Sequence, residues 1–312
     1  MYISGKRIFV SFVLPIVIII LGIAIRRGNP AATYTRHINQ GNRYYEQQDY
    51  ISAMREYSAA LKLVPNDRDA LLLRGMANYR VGRYQKAIDD DTKALTTTQI
   101  GDVLAALHYN RGMDYEALNK LPLAIEDYSA SLSIQPRNWD AMINRADCYR
   151  RTNQLDAAIR DVNTYLAGHA KSYFAFTVRG FAELGKKQWS RSEADFEAAV
   201  AIKRDEFQGW GALAWAQYMC DDTKDAIASN LTAIRLNPRA AMLYLNQGLC
   251  YAQQDNWAEA KREYETGIKK CNKFDLISAR GDIQDALKRH PDSAGLKQAR
   301  QLLADAKPGI PG

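Results

Sequence analysis

The chain has 312 residues, of which 47% are hydrophobic and 25% charged. That is ordinary globular composition, which excludes a collagen, a long disordered chain and a polytopic channel; the length suits two domains or one elongated array. The formal charge of +7 belongs to one end: six of the 42 Lys and Arg residues precede Glu46, the first acid, leaving 36 against 35 beyond it, so a basic nucleic-acid-binding body and a nucleic-acid partner are not expected. Four cysteines (Cys148, Cys220, Cys250, Cys271) are too few for a disulfide scaffold.

Residues 1–7 are a short basic tail. Residues 8–25, IFVSFVLPIVIIILGIAI, carry no charge. As a helix they would span about 27 Å, against about 30 Å for a bilayer core. Lys6–Arg7 and Arg26–Arg27 bracket them and can snorkel to headgroups. We read 8–25 as a single-pass transmembrane helix that anchors the chain in a lipid bilayer, and 26–33 as a linker. A cleaved signal peptide is the alternative. Its apolar core would be unusually long, and a double arginine stands where a small-residue cleavage site is wanted. The flanking charges nearly balance, so the repeats that follow can lie on the exported, periplasmic-like side or on the cytoplasmic side.

Beyond the linker, small residues recur at Gly41, Gly75, Gly112, Ala146, Gly180, Ala214 and Gly248, every 34 residues apart from one step of 37. Twelve residues after each stands Ala53, Ala87, Ala124, Ala158, Ser192, Ala226 or Ala260. Twenty after each stands an aliphatic residue, from Leu61 to Ile268. Within each unit, apolar residues follow helical spacing over two stretches joined by a polar turn. One such hairpin cannot bury its apolar face alone, whereas stacked hairpins share a continuous core.

The segment 34–274 resembles the tetratricopeptide repeat. The first unit carries Gly41, Tyr44, Ala53, Tyr57, Ala60 and Pro65, the third Tyr115, Ala124, Tyr128 and Pro136, and the seventh Tyr251, Ala260 and Tyr264. The resemblance implies an all-α, right-handed superhelix of seven helix–turn–helix repeats: 34–67, 68–101, 105–138, 139–172, 173–206, 207–240 and 241–274. It implies little about function, because the repeat is a general scaffold. Some family members bind chaperone tails through a Lys, Asn and Arg clamp. Here Asn42 is present, but Ile38 and Leu73 stand at two other clamp positions, so that clamp is not built.

Three extra residues separate repeats two and three, where TTTQIGD (96–102) reads as a longer loop. Past 274 the period fades. Residues 275–306 read as two amphipathic helices that cap the array, with Leu276, Ile283 and Leu287 facing it, or as a degenerate eighth repeat; 307–312 is a tail. No catalytic residue, cofactor or metal site is expected. The four histidines are scattered, and no CxxC, Walker loop, HExxH or GxSxG is present. The sequon at Asn230 falls at a packed position of the repeat, so it is discounted.

Arg74, Arg111, Arg145 and Arg179 precede the small residue in repeats two to five, and Asp90, Asp127, Asp161 and Asp195 follow sixteen residues later. We read these as structural ion pairs joining the two helices of a repeat; the alternative is a row of ligand-binding arginines. The first helices of such an array line its concave wall. Their outward positions carry Tyr45, Tyr79, Tyr109, Phe181, Trp215, Tyr218 and Leu249, with Arg150 and Arg151 farther along. Aromatic anchors in a groove suit a peptide. The expected protein is a membrane-anchored scaffold that holds a protein or peptide partner in this groove, or a non-catalytic assembly subunit of a membrane-bound enzyme or secretion complex.

Overall fold

The computed structural model describes residues 29–99 and 101–309; the apolar segment 8–25 lies outside them. Sixteen helices, and no strands, occur among the described residues. The first are α1 (Pro30–Glu46), α2 (Tyr50–Leu63), α3 (Arg68–Arg80), α4 (Tyr84–Leu95), α5 (Gly101–Ala117), α6 (Leu121–Ile134), α7 (Trp139–Arg151) and α8 (Leu155–Gly168). Then come α9 (Tyr173–Gly185), α10 (Trp189–Ile202), α11 (Phe207–Met219), α12 (Thr223–Leu236), α13 (Ala241–Gln253) and α14 (Trp257–Lys270). The chain ends with α15 (Lys273–Arg289) and α16 (Ala294–Asp305). None of these helices is long and apolar enough to cross a membrane.

Local chemistry punctuates the helices. The Asp49, Asp67 and Asp222 side chains accept from backbone N–H groups three residues on and start α2, α3 and α12; Asn138 and Ser172 do the same for α7 and α9. Each turn between paired helices places one residue in the left-handed region, seven positions after the small crossing residue: Gln48, Gly82, Asn119, Asn153, Lys187, Asp221 and Asp255. Gly, Asn and Asp reach that region at low cost, but Gln48 and Lys187 do not.

The small crossing residue answers the side chain sixteen positions later. A Cβ on Gly112 would stand 2.9 Å from the Tyr128 ring, and one on Gly248 2.9 Å from Tyr264. Gly41 and Gly180 meet Tyr57 and Phe196 in the same way. In repeats four and six that later residue is Val162 or Asn230, and the crossing residue is Ala146 or Ala214. Four of the five glycines thus face a ring and both alanines face none; the fifth, Gly75, faces the buried Asp91, whose carboxyl oxygen would lie 2.8 Å from a Cβ there.

Two boundaries differ from the sequence reading. Pro30 to Thr33, expected in the linker, form the first turn of α1, since proline is well placed at a helix start and Asn29 accepts from Ala31 N–H at 3.0 Å. The three inserted residues lengthen α5 to 17 residues, against 13 in α3 and α7, rather than making a longer loop.

The chain forms two compact units, one up to Gln154 and one from Leu155. Within the first, Ala60, Leu61, Ala70, Leu71, Ala94 and Leu107 form one core cluster. Within the second, Phe196, Val200, Ala212, Leu213 and Ala216 form one cluster, and a larger one runs from Tyr218 to Leu303. In each unit successive helices pack on their neighbours, and the succession stops at α14. It is α16 that packs on α14, while α15 packs on α13 and α16. The pair packs on the last repeat with Leu276 and Ile283 buried against it, and α15 does not continue the stacking order of the repeats.

Candidate functional site

The arginine row is occupied by protein. Arg74 and Asp90 lie 2.6 Å apart, Arg111 and Asp127 2.7 Å, and Arg179 and Asp195 2.7 Å. In all three, Nε and one terminal nitrogen grip both carboxylate oxygens, the bidentate geometry of strong pairs. The other terminal nitrogen reaches the preceding second helix: Arg74 to Ser58, Arg111 to Thr92, Arg145 to Ser129 and Arg179 to Asn163. The guanidinium groups of Arg74, Arg111 and Arg179 thus link repeats as well as helices, which spacing alone does not reveal. Of the fourth expected pair, Arg145 lies in the first unit and Asp161 in the second. Burial alone would raise the Asp127 carboxyl, but bonds from Arg111 and His108 outweigh it and hold it below its usual range.

Glu183 departs from this pattern. Its counterpart Asn78 donates to Asp90 at 3.2 Å, whereas Glu183 brings a second carboxyl to Asp195. Burial, and then the Asp195 charge, push Glu183 up to about 7. Asp91 and Asp114 were not singled out by their sequence context. Both are fully buried, Asp91 at the position taken elsewhere by Tyr57 or Tyr128.

The wall residues divide into three groups. Tyr109, Tyr218 and Leu249, expected to face outward, are each only 2% exposed. Tyr109 packs on Tyr128, and α15 covers Tyr218 and Leu249, so none of the three is an available anchor. Tyr45 and Tyr79 are half-buried, edge-on to Tyr50 and Tyr84. Phe181, at 39% exposed, and half-buried Trp215 and Phe174 remain accessible on α9 and α11. Trp215 stacks on Tyr218 with centroids 5.4 Å apart, and Phe181 stands edge-on to Phe196 at 4.9 Å. Arg150 and Arg151 do not await an acidic ligand: Arg150 bonds Asp147 at 2.7 Å, and Arg151 bonds Glu116 and Asn119.

Histidines and cysteines are engaged in structure. His37 meets Glu56, His108 meets Asp127, and His290 meets Asp221. Cys148 and Cys250 are buried, and burial pushes the Cys250 thiol up to about 12. Among the described residues no three His, Cys, Asp or Glu side chains form a metal-binding group. Asn230 is fully buried and donates to Leu243 and Gln247.

The profile described as tetratricopeptide repeat matches residues 38–100, 109–172 and 212–271. The chain belongs to the tetratricopeptide repeat family. It is 28% identical over 115 residues to Homo sapiens "Serine/threonine-protein phosphatase 5", covering 37% of this chain and 22% of that protein's length. It is 23% identical over 252 residues to Arabidopsis thaliana "Hsp70-Hsp90 organizing protein 3", covering 80% of this chain and 39% of the relative. The chain thus spans well under half of either relative. A crystal structure of a tetratricopeptide repeat protein from Parabacteroides merdae ATCC 43184 matches with a TM-score of 0.61 at 19% identity, over 88% of this chain and all of that one; it shares the fold.

Proposed function

We propose that the protein is a membrane-anchored scaffold. It holds a partner protein or peptide against the first-helix wall of its repeats and assembles a complex at the membrane. The carrying observation is the set of incompletely covered rings on α9 and α11, namely Phe174, Phe181 and Trp215. Covering apolar surface is worth about 25 cal/mol per Å², and rigid aromatic anchors dominate such interfaces. The anchor reading rests on the uncharged run 8–25 and its basic flanks.

The relative named as an Hsp70–Hsp90 organizing protein supports a linking role. A chaperone tail is not the partner proposed here. Asn42, the clamp residue that is present, accepts a hydrogen bond from the Tyr57 hydroxyl at 2.9 Å, and Ile38 and Leu73 offer no polar group.

The test is a pull-down from detergent-solubilised membranes with the full chain and with Phe181→Ala/Trp215→Ala. A partner held by these rings is lost from the double variant, by about 2 kcal/mol or more at a hot spot, while circular dichroism stays native. A partner retained equally by both chains moves the site elsewhere. Carbonate washing tests the anchor separately: protein released from the pellet contradicts it.

A further inference from the structure

The helix α15 packs its apolar face against first-helix residues of the last two repeats. Its Leu276, Ala279, Ile283 and Ala286, spaced i, i+3, i+7 and i+10, are all buried in one cluster with Tyr218, Leu245 and Leu249 of α11 and α13. Trp215, Met219 and Met242 pack around the same cluster. At i+13, Arg289 stacks over the Tyr218 ring at 4.8 Å and bonds Asp221 in the α11–α12 turn at 3.2 Å; His290 adds a contact to Asp221 at 3.0 Å. This is helix-in-groove packing made within one chain.

We propose that the wall of repeats six and seven is a helix-binding site held by α15 as an internal ligand. It opens to an amphipathic helix of a partner protein with apolar residues at i, i+3, i+7 and i+10 and a cation at i+13. This rests on the partner-groove reading above and adds the chemistry of the partner and its competitor.

The occupant is poorly optimised for a permanent place. Gly281 sits mid-helix with nothing within 4 Å of where its Cβ would be, so packing does not demand glycine there and helix propensity suffers. The hydroxyls of Tyr218 and Tyr264, buried in the same cluster, make no hydrogen bond among the described residues. Asp282 adds a carboxyl on α15 within electrostatic reach of both rings; burial, and then Asp285, push it up to about 6. It is therefore charged at neutral pH at a cost to docking. Against release, Arg280 of α15 caps α16 by donating to the Leu303, Ala304 and Ala306 carbonyls, so opening breaks that link or carries α16 along.

The probe is a fluorescein-labelled peptide of residues 273–290, and the receptor is the full chain in detergent. An occupied groove lowers apparent affinity by its open fraction. Ile283→Glu in the chain removes the central anchor, so that variant should bind the peptide at least about tenfold more tightly than wild type. A peptide carrying the same substitution should bind neither chain. Weak binding to both chains overturns the helix-binding wall and with it the partner-groove reading there. Tight binding to both overturns only occupancy by α15. Hydrogen exchange on the wild-type chain keeps the test valid if Ile283→Glu unfolds the array end. The α15 amides should exchange at least about tenfold faster than those of α13, and Asp282→Asn should slow them; equal protection of α15 and α13 overturns the proposal.

Discussion

Replacing Arg111 by Ala strips the Asp127 carboxylate of two bonds, at 2.7 and 2.8 Å, and leaves it only the His108 contact at 2.8 Å. The Asp127 side chain is 4% exposed and that of Arg111 19%. Removing one partner of a buried pair costs about 3–5 kcal/mol, against under about 1 for an exposed pair. The partial exposure of the guanidinium places the expected loss near the lower end of the buried range, at about 3 kcal/mol. The lost bond to Thr92 also loosens α5 from α4. Urea unfolding followed by circular dichroism at pH 7 and at pH 3 measures the effect. Because the folded Asp127 carboxyl lies below its unfolded value of about 3.9, the stability it supplies is present above that value and lost as pH falls through the folded one. The gap between wild type and variant should therefore be widest at pH 7 and close in acid. Arg111→Met with Asp127→Leu should recover much of the loss, since an apolar pair of similar volume avoids desolvation. A loss under about 1 kcal/mol at pH 7, or a gap that widens in acid, refutes the buried-pair reasoning.

Gly112→Ala should destabilise by about 1–3 kcal/mol, read by thermal melting, because its Cβ would lie 2.9 Å from the fully buried Tyr128 ring; Ala146→Gly should cost about 1 kcal/mol from helix propensity alone. Lys187→Gly should stabilise by about 0.5–1 kcal/mol in urea, since Lys187 holds a φ of 59° where repeat two has Gly82; a lower midpoint contradicts this. Glu183→Gln should raise the melting temperature more at pH 8 than at pH 5. The Glu183 carboxyl is raised to about 7 in the folded chain, so the stability its protonated form supplies is full below the unfolded value of about 4.3 and is lost as pH rises to 7. An equal shift at both pH values argues against carboxyl repulsion with Asp195.

The period of 34, the helix pairs and the arginine row were legible because each depends on partners at fixed offsets in sequence. Gly112 answers Tyr128 and Arg111 answers Asp127, each sixteen residues on. The left-handed turn residues were equally available: Asn119, Asn153, Asp221 and Asp255 mark the position, and only Gln48 and Lys187 disguise it. The wall was not legible in the same way. Leu249 occupies the position that leaves Phe181 exposed in repeat five, and Tyr218 the one held there by half-buried Leu184, yet both are buried. The cause is α15, which comes later in the chain and lies outside the repeat frame. Arg150 and Arg151 misled for a related reason, because their partners Asp147 and Glu116 lie on the same wall and neutralise it.

The central claim is that partners bind the first-helix wall of the C-terminal unit. Site-specific photo-crosslinking in the native membrane tests it most directly, with a photoreactive phenylalanine at Phe181 on α9 or at Leu231 on α12. The two positions are similarly exposed, at 39% and 41%, but lie on a first and a second helix. A discrete adduct from position 181, absent from position 231 and abolished by Trp215→Ala, is the predicted result. Adducts of equal yield from both positions, or an adduct from position 231 alone, would contradict it.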